Sequence, residues 1–324
     1  MNRVVGAGSG PPLDVVCLGI LVADVVVRPV DSLPQRDSLA LVERIELQAG
    51  GSALSTASVL ARFGLRSAVV GKVGRDAFGD FLVTTLGERG VESSGVVRDS
   101  GSTTSASVAL VSSDGARTFL HMPGADGELC VEDIDRELLL SGRFLHVAGA
   151  GVLERLDGEP LAQLLLEARE RGITTSLDTT WDPTGRWRRI DPVLPNLDLM
   201  CPSLAEAQAI SGEMEPPCIA GWLRDRGVRE VAVTMGPDGC YAAGESFAGL
   251  IEPPRVDTVD GTGAGDAFAA GLVYGRSAGW PFETCARFAS AAGALATTGL
   301  GAFAGVGDAA ATLALAEPAP SPLL

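Results

Sequence analysis

Two carboxylates and three glycines fall within seven residues at Asp260-Gly261-Thr262-Gly263-Ala264-Gly265-Asp266, and the apolar run Ala267-Phe268-Ala269-Ala270 follows. Small residues at the start of a helix leave backbone N–H groups unobstructed. With the positive end of the helix dipole they make an anion site suited to phosphate. A carboxylate is a poor phosphate ligand because like charges repel, so Asp266 at the edge of that site reads as a base for an attacking hydroxyl. The chemistry that needs both parts is phosphoryl transfer to an alcohol. The plainer reading is an ordinary helix start, with Asp in the first turn and Gly in the turn before it. It would win for a lone G-x-G; the density of small and acidic residues outweighs it here. Two rival phosphate patterns fail. In G-x-G-x-x-G the third glycine would have to stand where Asp266 stands, and the P-loop needs Gly-Lys-Ser/Thr, whereas the only lysine, Lys72, precedes Val73.

Other candidates are more ambiguous. Asp24 breaks an apolar run that begins with a buried strand at Asp14–Gly19. It reads equally well as a turn carboxylate or as a ligand for sugar hydroxyls at the carboxyl end of a strand. Gly50-Gly51-Ser52 opens a helix that runs to Phe63 and stops at Gly64; the paired glycines allow close approach by a ligand, or only a tight turn. Ser203-Leu204-Ala205-Glu206 follows a strand and on spacing is a capping box. Thr234-Met235-Gly236-Pro237-Asp238-Gly239 ends a strand in a turn. His121 reads as a polar end of a small sheet and His146 as a satisfied core residue, since neither has a partner at metal-ligand spacing.

These residues must be placed by strands and helices that alternate. Strands are expected at Ser67–Gly71, Phe144–Ala148, Thr174–Asp178, Leu199–Cys201 and Glu230–Met235, with a turn over Gly71–Asp76 and a helix through Leu86. Leu161, Leu164, Leu165 and Ala168 make one helix face. Alternation implies right-handed crossovers and a mostly parallel sheet. Residues 25–48, interrupted by Pro29 and Pro34, and 101–122, with a Ser113-Asp114-Gly115 turn, read as short strands of a separate peripheral sheet. Leu39, Leu41, Val42, Val108, Leu110 and Phe119 of that sheet cannot all face one small ligand. A thin sheet with an uncovered apolar face tends to be buried by something else.

At 324 residues and 46% hydrophobic, the chain has ample length for a large core. A net charge of −16, with its positive charge scattered and almost all Arg, argues against nucleic acid and anionic membranes as partners. The six cysteines (Cys17, Cys130, Cys201, Cys218, Cys240 and Cys285) make no C-x-x-C, so neither a zinc nor a redox motif is present. No apolar run reaches membrane-spanning length, and MNRVVGAGSGPP lacks a signal-peptide core. A cytoplasmic location is expected. The tails, 1–13 and 317–324, read as disordered.

Taken together, these stretches resemble the ribokinase/PfkB family of sugar kinases. Asp260 with Gly263-Ala264-Gly265-Asp266 matches its D-x-x-G-A-G-D signature. Gly50-Gly51 and then Gly71-x-Val73-Gly74-x-Asp76-x-x-Gly79 match its N-terminal one, and the likeness covers roughly residues 14–308. The resemblance implies an α/β fold: a three-layer α/β/α ribokinase-like domain with a mostly parallel central sheet and a small β-sheet lid, here segments 25–48 and 101–122. It implies transfer of the γ-phosphate of ATP, with Mg2+, to a hydroxyl. Asp266 would be the base, and the N–H groups of Gly263, Ala264 and Gly265 would hold the phosphate. Asp24, Gly50, Gly51 and Ser55, with Asp266, would line the sugar pocket. Thr234, Gly236, Gly239, Gly261, Thr262, Gly263 and Gly265 would line the nucleotide site. Glu206 would act on Mg2+ through water, and Asp260 with carbonyls near Gly301-Ala302 would hold a monovalent cation such as K+. Family members often pair their lids, so a homodimer through the lid is expected.

Four positions depart from the family pattern. Ser55 and Ser203 stand where Asn is usual. Thr180 and Asp182 stand where kinases of 2-keto-3-deoxygluconate carry Asn and Arg, which leaves a sugar acid without its cation. The expected substrate is therefore a neutral sugar or nucleoside, with a sugar acid as the alternative. A catalytically silent sensor and a nucleotide-binding oxidoreductase are the rival classes; the intact Asp266 and glycines oppose the first, and the failed dinucleotide fingerprint opposes the second.

Overall fold

A computed structural model describes residues 12–114 and 116–316. Alternate residues of the first strand, β1 (Val15–Gly19), face two different helical layers: Val16 and Leu18 pack on one side, Val15 and Cys17 on the other. That two-sided burial is what a parallel strand between helix layers requires. The chain then leaves the main layer as β2 (Val22–Arg28) and β3 (Arg44–Gly50) and returns through α1 (Ser52–Arg62), β4 (Ser67–Gly74), α2 (Ala77–Glu88) and β5 (Glu92–Asp99). It leaves again as β6 (Ala106–Val111) and β7 (Arg117–Met122). After the short α3 (Gly124–Gly127) and α4 (Arg136–Leu139) come β8 (Phe144–Ala150), α5 (Glu159–Glu170), β9 (Thr174–Thr179), β10 (Leu199–Met200), α6 (Leu204–Ser211), α7 (Pro216–Arg224) and β11 (Glu230–Thr234). A hairpin, β12 (Cys240–Ala243) and β13 (Ala248–Ile251), precedes α8 (Ala264–Ser277), α9 (Phe282–Ala296) and α10 (Ala309–Ala316).

The main sheet has nine strands in the order β13-β12-β11-β10-β9-β8-β1-β4-β5, parallel from β11 to β5 and antiparallel at β12 and β13. Helices α5, α6 and α7 cover one face; α1, α2, α8 and α9 cover the other. From β1 the chain first adds β4 and β5 on one side, then β8 and its followers on the other. The order reverses between β1 and β8, and open α/β sheets bind ligands at the carboxyl ends of strands flanking such a reversal.

The lid is a four-stranded sheet, β3-β2-β6-β7, with β2 and β6 parallel. Several boundaries differ from expectation. Asp24 lies inside lid strand β2 rather than at the end of β1, because the chain resumes an extended path only three residues after Gly19. Residues 29–43 form no strand, so segment 25–48 is two strands joined by an exposed connection. Strand β4 continues to Gly74 where a turn was expected, since Lys72 is buried by Asp133 at 2.9 Å and the carbonyl of Glu128 at 3.1 Å. The β12–β13 hairpin was not foreseen. The fold also extends beyond residue 308, because α10 packs against the core with Thr312 fully buried. Of the expected disordered tails, residues 1–11 and 317–324 lie outside the described residues, as does Gly115 of the lid turn. His146 is only half satisfied: Nδ1 pairs with Ser176 Oγ at 2.9 Å, Nε2 has no partner, and burial pushes its pKa down to about 4.

Candidate active site

Helix α8 begins after Gly263, whose φ of 75° is left-handed and which has no side chain to cap the first turn. A Cβ on Gly263 would come within 2.5 Å of Ala302 Cα, so the protein's own packing demands this glycine. Gly265 differs: a Cβ there would meet nothing within 4 Å. The first turn of α8 therefore opens onto the cleft at Gly265 with the helix dipole behind it, while the Ala264 N–H makes one long bond, 3.4 Å, to the carbonyl of Gly261. That arrangement suits an anion.

Asp266 is the third residue of α8 and sits at this opening. Burial pushes its carboxyl up to about 6; the hydroxyls of Ser52 and Ser55 draw it down, and the charge of Glu206 adds to the rise. Thr56 ties the same residue to α1 by donating to its backbone carbonyl at 3.3 Å. Ser55 Oγ lies beside this carboxylate and is buried, but outside hydrogen-bond geometry with it, so its influence there is a near approach and not a formed bond. Asp24 lies across the cleft. Its carboxyl is also pushed up to about 6, first by burial and in part by Asp266, against the Ser107 hydroxyl, which lowers it. Two carboxylates so placed can hold and orient hydroxyl groups, and one of them can take a proton near neutral pH.

The glycines before α1 have structural reasons of their own. A Cβ on Gly50 would fall 2.0 Å from Asp24 Oδ2, so Gly50 makes room for that carboxylate. Gly51, at φ 87°, would strike the carbonyl of Ile20 at 2.5 Å. Helix α1 also starts without a side-chain cap.

Glu206, third residue of α6, closes the capping box: its Oε2 accepts from Ser203 N at 3.0 Å, and Ser203 Oγ accepts from Glu206 N at 3.4 Å. The same Oε2 accepts from Thr179 Oγ1 at 2.9 Å, which links α6 to the end of β9. No described residue donates to Oε1. One free carboxylate oxygen near Asp266 fits Mg2+, which keeps most of its waters and is held chiefly by substrate phosphates. Among the described residues no group of three or more His, Cys, Asp or Glu side chains forms a metal cage. Asp178, near the end of β9, is buried and lifted well above the usual carboxylate range by that burial and by Glu206 and Asp266.

Thr234, Gly236, Gly239, Gly261 and Gly265 share the walls of one cleft of about 1020 Å³. Thr262 and Gly263 belong to the turn at its edge. Helix α9 contributes Ser290 and Gly293, and its C-cap Thr297, to the same cleft; these were missed, because an Ala-rich helix has no polar pattern to mark them.

The lid adds residues that sequence alone did not single out. Register aligns Gln48, Asp24, Ser107 and His121 in one row across β3, β2, β6 and β7, so all four side chains share the face toward Asp266. Ser107 Oγ and His121 Nδ1 are 3.0 Å apart. That row holds no Lys or Arg. The opposite face holds Val25, Val27, Ile45, Leu47, Val108, Leu110 and Leu120, and Ile45 and Leu120 are 65% and 62% exposed. Phe119 is on the inner face, apart from Val108 and Leu110 with which it was grouped; Leu39, Leu41 and Val42 lie in the strandless connection.

Asp260 departs from expectation. Its Oδ1 accepts from Thr262 N at 3.0 Å, Thr262 Oγ1 at 2.7 Å and Arg117 Nη1 at 3.1 Å; Oδ2 accepts from Gly301 N at 2.8 Å. A carboxylate offers about four lone-pair sites. Three of the four donors crowd onto Oδ1, one of them the guanidinium of Arg117, and Oδ2 keeps one site beside Gly301 N; a carboxylate already paired with a permanent cation is a poor fit for a monovalent one. Asp182 is likewise turned into its own loop, accepting from Thr184 and from Arg186 N at 2.6 Å, while the guanidinium of Arg186 is clamped on Glu154. Thr180 continues β9 through a backbone bond to Ala150.

Residues 12–306 match the model of the pfkB family carbohydrate kinases. Fructokinase-1 of Zea mays is 29% identical over 292 residues, covering 83% of this chain and 88% of that protein. The 2-dehydro-3-deoxygluconokinase of Bacillus subtilis is 28% identical over 256 residues, covering 76% and 79%. The structure of Arabidopsis thaliana ribokinase complexed with ribose and ATP shares the fold, with a TM-score of 0.80 at 22% identity over 95% of this chain and 100% of that one. The chain belongs to the pfkB family of carbohydrate kinases and is a phosphotransferase.

Proposed function

We propose that this enzyme transfers the γ-phosphate of Mg·ATP to a hydroxyl of a neutral sugar or nucleoside held between Asp24 and Asp266. The observation that carries this reading is the pairing of Asp266, its carboxyl pushed up to about 6, with the uncapped and unobstructed first turn of α8. Asp266 accepts the proton of the attacking hydroxyl. The N–H groups of Gly263, Ala264 and Gly265 stabilise charge on the transferring phosphoryl group. Bound Mg·ATP supplies that group, with Mg2+ spreading its charge. Glu206 Oε1 orders water on the metal, and the cleft between Thr234 and α9 takes the nucleotide. The polar row Gln48–Asp24–Ser107–His121 contacts the acceptor's other hydroxyls, and Ser55 Oγ offers it a further partner.

A neutral acceptor is favoured over a sugar acid because a substrate carboxylate would meet Asp24 and Asp266 with no lid-row cation to pair it. The outer apolar face of the lid supports a homodimer in which two lids cover each other. Six free cysteines fit a reducing cytoplasm, although this location rests on that chemistry alone. Among the described residues no helix is long and apolar enough to cross a membrane.

The test is coupled ADP release across pentoses, hexoses, sugar acids and nucleosides. Turnover with a neutral acceptor is expected. Preference for a sugar acid would overturn the choice of substrate class, and no turnover with any acceptor by folded protein would overturn the kinase reading. Sedimentation of a fully active monomer at micromolar concentration would reject the dimer.

A further inference from the structure

Arg117 is the first residue of β7, at the far end of the lid, yet it reaches the signature turn before α8. Its Nη1 donates to Asp260 Oδ1 at 3.1 Å and also contacts Thr262 Oγ1, and its guanidinium lies over the Phe119 ring of the same lid face. Both partners are half-buried, with side-chain exposures of 32% and 19%. A second lid residue follows the same path: Gln48 packs so closely on Gly301 that a Cβ there would sit 2.6 Å from its Oε1. Two lid strands thus meet the Asp260–Thr262–Gly301 triangle that supports the anion site. Asp260 by itself would be a poor neighbour for a phosphate, since its negative charge faces the same turn. A guanidinium is planar, weakly hydrated and permanently charged, which suits a half-buried carboxylate better than an ammonium.

Resting on the kinase reading, we propose that Arg117 is the built-in cation of this site, a positioning residue delivered by the lid. Closing the lid sets its guanidinium on Asp260, neutralises that carboxylate and braces the Gly261–Gly265 turn. The enzyme consequently needs no monovalent cation, and its anion site is complete only with the lid shut.

The experiment compares wild type, Arg117→Met and Arg117→Lys by initial rate with saturating Mg·ATP and a neutral acceptor, exchanging choline chloride for KCl at constant ionic strength. Wild type should be flat within about 2-fold. Arg117→Met should fall on the order of 10²-fold in choline, the scale of misplacing reacting groups by about 1 Å. It should recover at least several-fold with KCl or with millimolar guanidinium, and Arg117→Lys should lie between the two. Melting of the ligand-free proteins gives a readout independent of turnover: KCl should raise the Tm of Arg117→Met and leave wild type unchanged. Activation of wild type by K+ of more than about 5-fold would overturn the proposal. So would wild-type rates for Arg117→Met in choline, or a loss that neither KCl nor guanidinium relieves in a variant that still melts cooperatively. If wild type phosphorylates no acceptor, the kinase reading fails, while the melting comparison still decides whether Arg117 stands in for a cation at Asp260.

Discussion

Helices α6 and α8 both start at the cleft with a carboxylate as their third residue, Glu206 and Asp266, and the two carboxylates differ in their partners. Before α6 stands Ser203, whose hydroxyl and N–H close a box with Glu206. Before α8 stands Gly263, which has no side chain to offer. Glu206 is engaged by two donors through one oxygen, while burial leaves Asp266 pushed up to about 6. One residue ahead of each helix thus decides whether its first-turn carboxylate is drawn into a capping box; Gly263 offers Asp266 none.

The largest effect expected from breaking this contrast is at the second helical position. Gly265→Val should abolish turnover while leaving the melt nearly unchanged, because its added carbons meet only the space a phosphate must enter. Ala205→Val, the matched exposed position on α6, should stay within about 3-fold of wild type, as surface changes of roughly 0.5 kcal/mol do. Gly263→Val is a different experiment, since left-handed backbone and the clash with Ala302 should lower stability as well as activity. Equal melts for the Gly263 and Gly265 variants would contradict the distinction.

Next in size is Asp266→Asn, which should cut kcat on the order of 10²–10⁴ with ATP binding nearly intact. Near-normal turnover in the folded variant would remove Asp266 as the base. The pH profile refines this. A base must be ionised, so kcat/KM of wild type should be full above about pH 6 and fall as pH drops through it. Stability runs the other way. Asp24 and Asp266 hold protons in the folded state over a range, from the ordinary carboxylate value up to about 6, in which the unfolded chain has released them. Stability should therefore be highest below that range and decline as pH rises through it, and Asp266→Asn should lose part of the decline. A melt that strengthens with pH across the same interval would contradict the assigned environments.

The smallest effect belongs to Glu206→Gln, at about 1 kcal/mol of stability if the carboxylate only completes the box. A raised Mg2+ requirement beside that small cost is expected, because Oε1 is the oxygen left over for metal-bound water. A magnesium titration run with a parallel melt separates the two roles.

Much of this site was legible because its parts are contiguous. Asp260 to Asp266 declares a helix start, an anion site and a base within seven residues, and Ser203–Glu206 declares a capping box within four. The alternation of strands and helices gave the layered fold, and the two weakly patterned segments gave the lid. What could not be read is set by register and by distance. Asp24, Gln48, Ser107 and His121 form a row only because four strands pair as they do. Arg117 is 143 residues from Asp260, and an arginine at the start of a hairpin strand looks like any other surface arginine. The guanidinium beside Asp260 was out of reach for the same reason, since it comes from another part of the chain.

The junction between β1 and β2 has one more consequence. Only Ile20 and Leu21 separate a strand of the main sheet from a strand of the lid, and the N–H of Leu21 is held by the buried Asp126 at 3.0 Å. Leu21 itself is fully buried. A lid that swings away and bends the chain at this pair would release that amide. The proton on Leu21 N is therefore a gauge. Its exchange with deuterated water reports how readily this junction opens, and slower exchange with acceptor bound would measure how firmly a substrate keeps the lid shut.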